Sequence, residues 1–430
     1  MERVETLIVG GGQAGLATSY YLKQHGREHI VLEQAAQAAN AWRNDRWDSF
    51  TLVTPNWTVR MPGAEYAGAD PDGFMPRDEV ITYFDRYVER FQLPVQGTAE
   101  VVSVEPMNQR GYRVQTRQHT FVTKNVVMTT GLFQEPKIPP FAADLPPGIT
   151  QLHSGKYRNP ESLPAGAVLV VGSAQSGCQI AEELYQCGRK VFLCTGSAGR
   201  APRRYRGKDV IAWLNQIGFF DLTPEQLPPI MAKFGGIPHV SGTRGGHTLN
   251  LHQFARDGVT LLGHLRGAAS DKVSLVPDLH ANLAKADAFE RNALNMIDGY
   301  IQANELDVPN EELPQLRDGY EHPSVEELDL QAAGISSVIW ATGYAFDFRL
   351  VKLPVRDNDG FPIQERGVTG YAGLYFAGLP WMPSARSGLL MGVGESAKHI
   401  ASHIAEAATD RSRSAGMLTT SRPAAATLVG

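Results

Sequence analysis

Three glycines in "GGGQAG", Gly10, Gly12 and Gly15, are spaced G-x-G-x-x-G, and an acid, Glu33, follows Gly10 by 23 residues. The first glycine permits a tight turn, the second lets backbone approach a pyrophosphate, and the third lets helix and strand pack closely. Amides at Gln13 and Ala14 then open a helix whose dipole favours phosphate. Glu33, with Gln34 beside it, stands where a carboxylate binds ribose hydroxyls. A ribose with free hydroxyls fits FAD or NAD. A second turn, "GSAQSG", keeps Gly172 and Gly177 around Gln175 and Ser176 but has Ala174 in the middle, and Thr195 stands where the acid would be. Arg200, Arg203 and Arg204 follow within a few residues. An acid would repel a 2′-phosphate, whereas a guanidinium binds one through paired, charge-assisted hydrogen bonds. The second turn is therefore built for NADPH in preference to NADH. Opposite ribose chemistry at two sites implies a resident FAD reduced by a visiting NADPH.

The elements that must position these residues repeat. Gly10, Gly12, Gly15, Gly26 and Glu33 fall on Gly172, Ala174, Gly177, Gly188 and Thr195 at a constant offset of 162, without a gap. In each copy an apolar β run meets the turn, a helical stretch ends at a glycine, and a second β run follows. The expected fold is α/β, with two dinucleotide-binding (Rossmann-like) domains and the FAD domain interrupted by an NADPH domain. Residues 1–163 are the first part of the FAD domain, with alternating strand patterns before "VVMTTG". Residues 164–333 are the NADPH domain, irregular over about 201–327. Residues 334–408 return to the FAD domain through "ISSVIWATGY", "GLYFAGL" and a closing helix. Residues 409–430, rich in Ser, Ala and Thr, read as a disordered tail.

Composition excludes several classes. The 430 residues are 43% hydrophobic and 20% charged, with net charge −5, which gives no basic field for nucleic acid or anionic membrane. No apolar run is long enough to span a bilayer, and the N-terminus lacks a secretory pattern. Cys178, Cys187 and Cys194 form neither a CxxC pair nor a metal-ligand spacing. The expectation is a reduced cytoplasmic protein, without metal, acting on a small molecule. A homo-oligomer stays open.

In their order along the chain, the first turn, "WRNDRWDSFTLVTPN" (42–56), "TTG" (129–131), "HSGKY" (153–157), the second turn and "ATGY" (341–344) resemble the class B flavoprotein monooxygenases. These are the flavin-containing, indole-3-pyruvate and N-hydroxylating monooxygenases and, more distantly, the Baeyer-Villiger enzymes. His153 and Tyr157 match the family's linker signature, but Pro147 and Ile149 stand where Phe and Gly are usual. The resemblance implies that Asn56 lies near the flavin edge and helps hold an oxygen adduct. It also implies that Trp42, Arg43 and Trp47 line FAD. Val101, Thr130, Gly131, Thr342, Gly343 and Gly378 would pass close to the nucleotides, and the amides of Ser387, Gly388 and Leu389 would face the reduced ring. The activity implied is NADPH- and O2-dependent oxygenation of a small organic substrate through a C4a-(hydro)peroxyflavin, at nitrogen or sulfur. The alternatives are an uncoupled NADPH oxidase or oxygenation of a carbonyl substrate. A disulfide reductase would need a redox-active cysteine pair, and a non-enzymatic sensor would not consume NADPH.

Overall fold

A computed structural model describes residues 1–107, 111–227 and 238–420. Two sheets organise the chain. The first has the strand order Val95–Gln96, His29–Leu32, Glu2–Val9, Thr120–Met128, Tyr112–Thr116, Val101–Pro106, and Leu374–Phe376 also pairs with Thr120–Met128. Glu2–Val9 is parallel to both of its neighbours, and Val101–Pro106 and Tyr112–Thr116 form an antiparallel extension. The second sheet is parallel throughout, in the order Thr150–His153, Ile335–Trp340, Ala167–Val171, Val191–Cys194, Thr260–Leu262. Its central strand, AVLVV, is buried at every residue. Such an unbroken apolar run is what a strand covered on both faces requires.

Each sheet carries its glycine turn at the carboxyl end of a central strand. Helices Gln13–Gln24 and Gln175–Gln186 follow the turns directly, as in a nucleotide-binding crossover. The last helix, Val393–Thr420, packs on Gln13–Gln24 and so ties the end of the described chain to its start.

Two features differ from the sequence expectation. Strands Thr150–His153 and Ile335–Trp340 pair in the second sheet, although their positions place them in the expected FAD segments. Ile335–Trp340 is a largely buried strand that would suit either sheet, and Thr150–His153, TQLH, has no apolar run to mark its partner, so pairing is not written in their composition. The expected disordered tail is helical through Thr420; residues 421–430 lie outside the described residues. Among the described residues no helix is long and apolar enough to cross a membrane.

Candidate functional site: paired turns and a dinucleotide cavity

The two turns are built by the same contacts. Gly10 has φ +113° and Gly172 has φ +106°. A Cβ on either would strike a neighbouring carbonyl oxygen, that of Thr129 at 2.5 Å or of Ala341 at 2.6 Å. The third glycines pack back on the first: a Cβ would lie 2.0 Å from the Gly10 oxygen at Gly15 and 1.7 Å from the Gly172 oxygen at Gly177. The middle positions share one backbone, φ −82° and ψ −173° at Gly12, φ −78° and ψ −168° at Ala174. This is extended backbone open to any residue. Neither backbone conformation nor packing within the chain demands glycine at Gly12: a Cβ there would meet nothing within 4 Å and would project into open space.

That open space is a cavity of about 600 Å³. Gly10, Gly12, Gln13, Ala14, Glu33 and Gln34 line one end; Trp42, Val101, Thr130 and Gly131 continue the wall. Gly378 and Gly388 close it from the C-terminal segment. Gln13 Nε2 donates to the Gly388 carbonyl at 2.8 Å, and a Cβ on Gly378 would reach Ala14 Cβ at 2.4 Å. The glycine turn and the end of strand Leu374–Phe376 are therefore locked together. Glu33 accepts from Gly11 N at 2.7 Å and Ala35 N at 2.9 Å. Burial raises its pKa above the usual carboxylate range, although these backbone N–H groups oppose the rise. Both oxygens keep lone pairs for ribose hydroxyls. An open phosphate cradle at Gly12 and an acid at the strand end of one cavity fit the adenosine diphosphate half of FAD.

Other predicted residues lie off this wall. Arg43 turns away to pair with Asp85 and donates to the Ala38 carbonyl. Trp47 is buried against Phe50, with ring centroids 5.2 Å apart. Asn56 is buried, donating to the Asp70 carbonyl at 2.9 Å and accepting from Met75 N at 2.7 Å, so both ends of its amide hold the 70–75 loop. Ser387 Oγ staples its own turn through Ser384, and Leu389 joins a cluster with Phe220, Val240 and Met391. Thr342 Oγ1 donates to the Lys137 carbonyl, and the Gly343 carbonyl accepts from His153 Nε2 at 2.9 Å. Nδ1 of His153 accepts from Gly155 N, which fixes the tautomer. Tyr157 donates to Glu183 at 2.7 Å. Arg46 was missed by the sequence reading. It lines the cavity, its guanidinium 4.5 Å from the Phe133 ring centroid; among several arginines in one motif, nothing in the spacing singles it out.

At the second turn, Gln175 bonds both backbone groups of Val240, while Ser176 sits half-buried in the first helical turn and the exposed Ala174 precedes it. Thr195 Oγ1 donates to the Leu262 carbonyl at 2.7 Å. Arg200 is buried and paired with Asp287 and Glu290, both at 2.7 Å. Those hydrogen bonds, outweighing burial, raise its pKa. Arg203 is buried against Asp209 and the Val53 carbonyl; burial lowers its pKa. Arg204 donates to the Gly245 and Gly246 carbonyls. The structure thus does not bring the three arginines to one point. None of the three free cysteines lines the cavity.

A pyridine nucleotide-disulphide oxidoreductase family model matches residues 7–217. The chain is 32% identical over 405 residues to the "uncharacterized oxidoreductase CzcO-like" of Geobacillus kaustophilus, covering 93% of this chain and 98% of the relative. It is 28% identical over 213 residues to the probable indole-3-pyruvate monooxygenase YUCCA3 of Arabidopsis thaliana, 47% of this chain and 48% of that one. The flavin-containing monooxygenase of Stenotrophomonas maltophilia superposes with a TM-score of 0.63 at 19% identity, over 95% of this chain and 100% of that one. The paired turns and their two sheets share the fold of that monooxygenase and of OTEMO, whose structure is a complex with FAD and NADP. The chain belongs to the CzcO-like oxidoreductase family.

Proposed function

We propose that this protein is an NADPH-dependent FAD monooxygenase that places one atom of O2 on nitrogen or sulfur of a small organic substrate. The cavity carries the reading: its glycine cradle and buried acid suit a resident dinucleotide, and no cysteine stands at it to relay electrons to a disulfide. Bound FAD would pass two electrons from NADPH to O2, so that one oxygen reaches the substrate and the other leaves as water.

The protein's part is position and dryness. The helix start after Gly12 holds phosphate, Glu33 holds ribose, and Gly378 and Gly388 set the far wall. Beside Gly388, Leu389 and Met391 pack with Phe220, Ile211 and Val240 from the other half of the chain. Two polar ties hold that contact shut: Arg386 pairs with Asp221, and Ala385 N donates to the Leu222 carbonyl at 2.9 Å. This apolar cluster beside the cavity would limit the entry of water, which diverts reduced oxygen to peroxide.

The test supplies 18O2, NADPH and two probe substrates, methyl phenyl sulfide and N,N-dimethylaniline, to the FAD-loaded protein. Sulfoxide or N-oxide carrying one 18O per NADPH supports the reading. Full recovery of the consumed O2 as hydrogen peroxide with both probes makes the protein an NADPH oxidase instead.

A further inference from the structure

We infer that the 2′-phosphate of NADPH is read by Lys285 and His264, at a subsite made by one face of the helix Leu279–Ala303. This rests on the NADPH reading above. The repeat sets the location: Thr195 occupies the position of Glu33, so the ribose belongs at the end of strand Val191–Cys194, beside Gly196. The cations expected there are engaged elsewhere, Arg200 and Arg203 in buried ion pairs and Arg204 on two carbonyls.

Other groups converge on that strand end. The neighbouring parallel strand, Thr260–Leu262, runs through Gly263 into His264. A Cβ placed on Gly196 would lie 3.5 Å from His264 Nε2. Nδ1 of that ring pairs with Asp278 Oδ2 at 2.5 Å, and Asp278 also accepts from His264 N at 2.9 Å. Nε2 makes no hydrogen bond among the described residues. The Asp278 carboxylate orients the ring so that Nε2 faces the strand end.

Asp278 caps the helix Leu279–Ala303, and residues 278, 282, 285 and 289 share one of its faces at helical spacing. Asn282 Nδ2 donates to the Thr195 carbonyl and Oγ1, each at 3.4 Å. Phe289, 40% exposed, lies against Gly199, where a Cβ would come within 2.5 Å of its ring. Lys285 stands between these two contacts, exposed, with no hydrogen bond or ion pair to any described residue. A free ammonium, a carboxylate-backed imidazole, an amide and an open aromatic face on one side of a strand end suit an adenosine bearing a 2′-phosphate: charge for the phosphate, a ring for the base.

The test is calorimetric titration of the FAD-loaded protein with 2′,5′-ADP and with 5′-AMP, which involves no turnover. Lys285→Ala and His264→Gln are each expected to weaken 2′,5′-ADP about tenfold and to leave 5′-AMP within about twofold. Lys285→Arg keeps the preference. Unchanged 2′,5′-ADP affinity in both variants, equal loss for both nucleotides, or a loss confined to Arg204→Ala overturns the assignment. A wild-type protein that binds the two nucleotides equally defeats the NADPH reading itself.

Discussion

Alanine at Gly15 or Gly177 is the same perturbation applied to two turns of one design. The new Cβ would lie 2.0 Å from the Gly10 oxygen or 1.7 Å from the Gly172 oxygen, and each helix must move off its turn by roughly an ångström to reach contact distance. Overpacking of this kind costs about 1–3 kcal/mol, and it falls on the first helical turn, whose amides face phosphate. An affinity loss of about 5- to 150-fold follows at the affected site. Gly15→Ala is expected to purify with little flavin, read as the ratio of flavin to protein absorbance after gel filtration. Gly177→Ala should keep its flavin in full and lose NADP+ binding, read by calorimetry. Two results refute the reasoning: NADP+ affinity in Gly177→Ala equal to wild type, or flavin loss in Gly177→Ala as severe as in Gly15→Ala.

Asn56→Ala leaves Met75 N without its partner and the Asp70 carbonyl with only Gly73 N at 3.4 Å, so stability should fall by about 1–3 kcal/mol in urea; intact stability with a lower kcat would place Asn56 at the flavin instead. Burial, with the Arg200 charge adding to it, lowers the His239 pKa to about 4. The unfolded chain takes up that proton first, so stability is complete above about pH 6.5 and falls by about 3 kcal/mol toward pH 4; His239→Phe should flatten that limb in pH-dependent urea midpoints. Arg386→Ala removes the tie to Asp221 and the donor to the Phe220 carbonyl. Water entry should then raise the peroxide released per NADPH, with flavin content unchanged.

The turns were legible because their constraints are local. Gly10, Gly15, Gly172 and Gly177 are dictated by carbonyl oxygens within hard-sphere distance, and such clashes leave a glycine in the sequence wherever they occur. Glu33 was legible for a related reason, since a strand end after one helix has a fixed place. Arg200 and Arg203 show the limit. Their proximity to Thr195 along the chain suggested a phosphate site, but Asp287, Glu290 and Asp209 are distant or unmarked in sequence, and only folding reveals that these carboxylates had already claimed the guanidinium groups. Lys285 carried no signal, being one lysine in a helix of ordinary composition. Arg43 and Arg46 stand three residues apart, but Arg43 lies in the short helix Asn40–Asn44 and pairs with Asp85, whereas Arg46 follows that helix and lines the cavity.

The interleaving of the two sheets sets an order of assembly. Every strand of the second sheet lies between Thr150 and Trp340, so a growing chain holds that sheet complete while Leu374–Phe376 and the last helix are still unmade. The cavity wall at Gly378 and Gly388 emerges from the ribosome between that strand and the last helix. With domains forming as units during synthesis, the inner half is finished first and the flavin enters a protein already half folded. Cofactor capture is then the closing event of biogenesis, and a shortage of flavin would leave a folded inner domain attached to an open outer sheet.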